Sequence, residues 1–179
     1  EWKSEALCWR AFNLFRMAQL WGDAPMITVI PPEITSENIE DVYEDYYPKR
    51  TPVDEIYGQV IEDLNYACDN DVNASDKYLF SKAFAHGLRA RVYAEKQRQD
   101  WNQVINDCLA VEGMGFSLGD NYGDLWAYTD DDAVRNTKES IFEVTWSRNS
   151  GNWVWMMYHR NAYTPSDSYS WAKWTTPSR

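Results

Sequence analysis

Apolar positions recur so densely along residues 5–21 that they wrap the predicted helix almost completely. Ala6, Leu7, Trp9, Phe12, Leu14, Phe15, Met17, Ala18, Leu20 and Trp21 leave only a narrow polar strip at Arg10, Asn13, Arg16 and Gln19. A helix with this pattern is expected to be enclosed by other helices, with Trp9 in the core. Gly22 is placed to end it in the left-handed conformation, and Pro25 bars its continuation. The pattern predicts a helix over residues 4–21.

The 3.6-residue period returns at Val53, Ile56, Tyr57, Val60, Ile61, Leu64, Ala67 and Cys68, which predicts a helix over 52–68. Thr51 is a candidate cap, Pro52 suits the first helical position, and Asp54 and Glu55 suit the first turn. A third helix is expected over 81–97, capped by Ser81. It carries a stripe of large residues at Phe84, Leu88 and Val92. A stripe of small ones at Ala83, Gly87, Ala90 and Ala94 is expected to let another helix approach closely. Trp101, Val104, Ile105, Cys108 and Leu109 mark a fourth over 101–112, with Trp101 expected in the core. The short turn at residues 98–100 makes the third and fourth antiparallel neighbours. Between the first two helices, residues 23–50 read as a proline-bearing acidic connector with one helical turn. Beyond Glu112, glycines break the helical pattern. Ser140–Trp146 alternates as a short strand would, and after Gly151 the chain turns irregular and aromatic.

A short repeat is visible within the helical part. Tyr57, Gln59, Val60, Ile61 and Asp63 recur as Trp101, Gln103, Val104, Ile105 and Asp107, 44 residues on. Helix pairs recurring at roughly 34 to 47 residues mark tetratricopeptide-like and related repeats. The fold expected is therefore mainly α: tetratricopeptide-like antiparallel helix hairpins, with irregular aromatic-rich loops and a short strand. One domain is expected over 1–179, comprising a helical frame over 1–112 and a loop-rich aromatic part over 113–179.

Composition sharpens this picture in two ways. The chain carries 10 Trp and 12 Tyr, flat rings with a polar edge that suit stacking on sugars, bases or peptides. Its net charge of −11 argues against nucleic acid and against an anionic membrane surface, both of which call for clustered Lys and Arg. The acidity belongs to the helical part, because residues 146–179 carry Arg148, Arg160, Lys173 and Arg179 against Asp167 alone. Cys8, Cys68 and Cys108 form no metal spacing and each falls on an apolar helix face, so buried thiols are expected. Asp120, Asp124 and Asp130–Asp132 lack the spacing of a calcium loop and read as a solvated acidic turn. His86, mid-helix without a second His or Cys in the sequence motif, reads as structural. No cofactor and no metal site is expected. The chain opens without Met and closes on a Trp- and Pro-rich run, and is read as a piece of a longer protein.

The landmarks together resemble the SusD/RagB family, nutrient-binding lipoproteins of the Bacteroidetes outer membrane. EALCWRAFNLFRMAQLWGDAP resembles the family's helix ending in L-G-x-x-P. TPVDEIYGQVIEDLNYA is similar to its next helix, with Arg50, Tyr57, Ile61, Asp63, Leu64 and Ala67 at matching places. SKAFAHGLRARVYAEKQRQDWNQVIND is similar to the following pair, at Lys82, Ala90, Arg91, Val92, Tyr93, Asp100 and Trp101. FSLGDNYGDLW and KESIFEVTW resemble two later motifs. Gly87 and Val104 depart from the family pattern at packing positions only.

The resemblance implies non-catalytic surface binding of an oligo- or polysaccharide for uptake through a SusC-like TonB-dependent transporter. It also implies a lipid-anchored place on the outer membrane. Family ligands meet aromatics in loops after the I-F-E motif. The ligand-binding candidates here are therefore Trp153, Trp155, Tyr158, Trp171 and Trp174, with Asn152 and Arg160 for hydroxyls. Two alternatives are open at this point. One is an all-α glycoside hydrolase using Glu143 and Asp167 as its carboxylate pair. The other is a tetratricopeptide scaffold for peptides, which is disfavoured by the acidity of the helices.

Overall fold

The computed structural model describes residues 2–70, 77–95, 98–123 and 137–144. The described residues through Glu143 form one compact unit. They comprise helices α1 (Trp2–Trp21), α2 (Tyr43–Tyr46), α3 (Val53–Asn70), α4 (Lys82–Ala94) and α5 (Trp101–Gly113), with two short strands, β1 (Ala24–Pro25) and β2 (Arg50–Thr51). All four predicted helices are present, within a few residues at each end.

The start and stop signals act through identifiable bonds. Gly22 ends α1 at φ +65°, and its N–H donates to the Ala18 carbonyl at 3.0 Å. Ser81 Oγ accepts from the Phe84 N–H at 3.2 Å, and Asp100 Oδ1 accepts from the Gln103 N–H at 3.1 Å. The start of α3 differs from expectation. Thr51 is occupied in β2, where it pairs with Ala24. The Val53 N–H is instead satisfied by Asp23 Oδ1 at 2.8 Å, a cap reaching across from the end of α1. The same antiparallel β1–β2 ladder pins both ends of the connector between them.

The long helices stack in sequence, α1 on α3, α3 on α4 and α4 on α5. Their order is antiparallel at each step. Lys3 lies over the Tyr66 ring, Arg10 meets Asp63 and Phe15 meets Tyr57, so one helix ascends as the other descends. Between α3 and α4, Asn65 meets Arg89. Between α4 and α5, Arg89 meets Asp107, and Ala83 shares a buried cluster with Val111. The main core joins Cys8, Ala11, Leu14 and Phe15 of α1 to Ile56, Val60 and Leu64 of α3 and to Leu88 and Val92 of α4. The large-residue stripe of α4 faces this core as its spacing requires.

Several packing expectations are corrected. Among the described residues α1 is not enclosed: Trp9 is 51% exposed, and Trp2, Leu20 and Trp21 also face solvent. Its buried face is the narrower one of Ser4, Cys8, Ala11, Leu14, Phe15 and Ala18. Arg10, expected on the polar strip, lies beside that face. On α5, Trp101, Ile105, Leu109 and Cys108 are exposed, because among the described residues α4 covers only its opposite side. On α4, Ala83 and Ala90 are buried, but Ala94 is exposed. A Cβ at Gly87 would meet Ile141 at 3.7 Å, an ordinary contact with the 137–144 segment and not a close helix crossing. Ser140–Val144 is irregular where a strand was expected. Its main chain is tied down by Glu143 N–H to the Lys77 carbonyl at 2.7 Å.

Candidate functional site

The aromatic platform expected from the sequence (Trp153, Trp155, Tyr158, Trp171, Trp174, Asn152 and Arg160) lies outside the described residues, as do Asp124, Asp130–Asp132 and Asp167. What the structure does describe is the anchor from which that stretch departs in sequence. Phe142 stacks on Phe80 with ring centroids 4.8 Å apart and 12° between planes, and it packs against Phe84 at 5.2 Å. Trp9 meets Phe80 edge-on at 4.5 Å, and Phe12 flanks both Phe80 and Phe84. Such ring pairs contribute about 0.5–1.5 kcal/mol each beyond their burial. The Lys77 ammonium donates to the Thr137 carbonyl and fixes the start of the same segment. Glu143, the one described member of the candidate carboxylate pair, accepts a hydrogen bond from the Ser140 hydroxyl.

A concave polar site lies where the end of α1, the start of α3 and the end of α4 converge. The cavity is about 420 Å³ and is lined by Gln19, Asp54, Tyr57, Glu95 and Arg98 among others. The Arg98 guanidinium lies over the Tyr57 ring at 4.9 Å and pairs with Asp54. Gln19 Nε2 donates to Glu95 Oε1 at 2.7 Å. Burial pushes the Tyr57 hydroxyl above its ordinary pKa, helped by the nearby Glu95 charge and opposed by Arg98. Arg98 Nε is buried without a hydrogen-bond partner among the described residues, the other polar groups are largely committed to one another, and none of the described lining residues is a nucleophile paired with a base.

Among the described residues the most deeply buried carboxylate is Asp107 of α5, which is 1% exposed. Its Oδ1 receives Arg89 Nη2 at 2.6 Å and lies 2.7 Å from His86 Nδ1. Its Oδ2 receives Arg89 Nε at 3.0 Å and Gln103 Nε2 at 3.2 Å. Burial by itself would raise the carboxyl pKa. The hydrogen bonds from His86, Arg89 and Gln103, with the charge of Arg89, outweigh it and hold the group at about 2. His86, read from the sequence as structural, has Asp107 as its partner.

Cys68, His86 and Asp107 bring three potential ligand atoms within 4.8 Å of one another. The chemistry of this donor set opposes a cation. Arg89 and Gln103 already engage the carboxylate oxygens, and the guanidinium would repel a second positive charge. Burial pushes the Cys68 thiol up to about 12. The cluster reads as a buried ion pair that joins three helices.

A second such pair lies two junctions earlier, where α1 packs on α3. Arg10 of α1 grips Asp63 of α3 through Nε at 2.7 Å and Nη2 at 2.6 Å, and Gln59 Nε2 adds a bond at 3.0 Å. Hydrogen bonding to Asp63 raises the Arg10 pKa further. Neither arginine was legible as a partner, since each lies on a different helix from its aspartate. The aspartates themselves carried a signal: each interrupts an apolar stripe four residues after a Gln, at the same place in the 44-residue recurrence.

Comparison with known proteins gives three findings. Residues 1–94 match a SusD-like family described as "Starch-binding associating with outer membrane". The chain is similar to a SusD-like protein of Bacteroides ovatus, 28% identical over 157 residues, which span 80% of this chain and 26% of that protein. It is also similar to the crystal structure of a SusD-like protein from Bacteroides fragilis, with a TM-score of 0.58 and 25% identity over 80% of this chain and 27% of that one. The chain thus spans about a quarter of the length of these relatives.

Proposed function

The chain belongs to the SusD-like family, and on that premise we propose that it serves a protein that binds glycan at the cell surface without cleaving it. The bound oligo- or polysaccharide passes to a TonB-dependent transporter of the outer membrane. The observation that carries this reading is the family match over residues 1–94, whose description joins starch binding to outer-membrane association. The architecture supports a division of labour. The stacked helices α1, α3, α4 and α5 form a frame locked by two buried ion pairs, and the Phe80–Phe84–Phe142 cluster anchors the segment that leads into the aromatic platform. Trp153, Trp155, Tyr158, Trp171 and Trp174 are the proposed stacking rings, with Asn152 and Arg160 on the hydroxyls. Among the described residues no helix is long and apolar enough to cross a membrane, and the proposed attachment is a lipid anchor. Calorimetric titration of the full-length protein with maltooligosaccharides and other glycans, alongside chromatography of the mixtures, tests the reading. Saturable binding with unchanged ligand is the expected result. Release of shorter sugars would replace it with the hydrolase reading, and binding of peptides alone would replace it with the scaffold reading.

A further inference from the structure

The connector between α1 and α3 is apolar and acidic at once, and its own fold leaves both characters facing outward. Ile30 is 94% exposed, Val29 78% and Tyr47 69%, with Ile27, Ile34, Ile39 and Tyr43 also exposed. Internal bonds shape this segment. The Tyr46 hydroxyl donates to the Pro32 carbonyl at 2.6 Å, Asn38 bridges Glu33 and Thr35, and the Tyr43 and Tyr47 rings stack at 4.8 Å. A shallow cleft of about 300 Å³ runs between residues 26–32 and Glu44, Asp45 and Pro48. Exposed apolar side chains gathered in this way mark an interaction surface.

Charge selects the occupant. Glu33, Glu37, Glu40, Asp41, Glu44 and Asp45 follow one another with no basic residue among them. Lys49 approaches Glu44 at 3.6 Å, but both are highly exposed, and such a pair neutralises little. Anionic lipid and nucleic acid are repelled, as is the same patch on a second copy of a chain of net charge −11. We propose that residues 26–47 dock a protein partner whose matching face is an apolar strip rimmed by Lys and Arg. Resting on the function proposed above, that partner is the outer-membrane transporter. The apolar side chains supply contact area, and the acidic rim supplies steering and register.

The test places a photo-crosslinking residue at Ile30 of the full-length protein in its native outer membrane and identifies the product by mass spectrometry. The expected product joins Ile30 to the transporter. Its yield falls at least tenfold when Glu40, Glu44 and Asp45 are together replaced by Lys, and it falls as salt rises. All three side chains are exposed, so the variant is expected to keep its fold, which an unchanged thermal melt checks. Two results overturn the docking surface while leaving the proposed function standing. In one, the transporter co-purifies but Ile30 crosslinks only to its own chain or to another protein. In the other, charge reversal leaves the yield unchanged. If no transporter accompanies the protein at all, both readings fall.

Discussion

Asp63 and Asp107 occupy the same place in two helix junctions, α1 on α3 and α4 on α5. Each lies four residues after a glutamine that bonds it, each is almost fully buried, and each is gripped by an arginine from the helix packed before its own in the stack. The 44-residue recurrence is therefore a repeated ion-pair device as much as a repeated apolar stripe. It fixes the register of α1 against α3 and of α4 against α5.

Breaking one member of such a pair leaves a buried charge without compensation. Arg89→Met is expected to destabilise the protein by about 3–5 kcal/mol, because Asp107 loses three of its hydrogen bonds at once. Arg10→Met is expected to cost less, since the Arg10 side chain is 31% exposed and water can reach Asp63 in its absence. Urea unfolding of both variants measures the two values. Equal losses would mean that the two junctions are equally sealed from solvent.

Acid should weaken the α4–α5 junction within a defined window. The Asp107 carboxyl titrates at about 2 when folded, below its ordinary value of 3.8. A depressed folded pKa gives stability that is present above the unfolded value and lost as pH falls through the folded one. The contribution is about 2 kcal/mol above pH ~4 and is lost between pH ~4 and ~2. Unfolding free energies measured from pH 6 to 2 should show this slope. Asp107→Asn, compared with the wild type, should remove that part of it.

Gly22 is held at φ +65° with open space around the position of a Cβ. Gly22→Ala therefore meets backbone strain and no clash, and an expected loss of about 1–2 kcal/mol follows from the left-handed conformation alone. A neutral result in thermal melts would mean that the end of α1 relaxes without disturbing the Asp23 cap on α3.

The helices and most of their ends were legible because period, cap and glycine stop are local signals. Ser81 and Gly22 act where the sequence places them, whereas Asp100, read only as part of a turn, caps α5. Side-chain burial was less legible, because it depends on which neighbours arrive. Trp9, Trp101, Leu109 and Cys108 lie on apolar stripes yet face solvent among the described residues, whereas Arg10 and Asp107 are polar and lie against the core. A stripe read from one helix states which face can be covered and not whether another element covers it. The partner of a buried charge is equally invisible when it sits 53 residues away, as Arg10 does from Asp63. The Asp23 cap was missed for the same reason, being 30 residues from the N–H it satisfies.

The ligand platform gives the sharpest functional prediction. If Trp153, Trp155, Trp171 and Trp174 include a ring that stacks on sugar, its replacement by Ala in the full-length protein should weaken glycan binding by about 1–3 kcal/mol, by analogy with the loss of aromatic stacking on bases. Stability should hold, because a ring left open for a ligand contributes little to a core. The reference points for stability now come from the described frame. Phe15 and Phe80 are 1% and 4% exposed, and truncating either to Ala should cost about 3–5 kcal/mol of folding stability. Trp101, at 56% exposed, should cost far less. Calorimetric titration beside thermal melts separates the two behaviours. Lost binding with an unchanged melt at one or more of the four positions identifies a stacking ring. Normal binding at all four, or an early melt at all four, would assign those tryptophans to packing and move the search for the sugar site elsewhere.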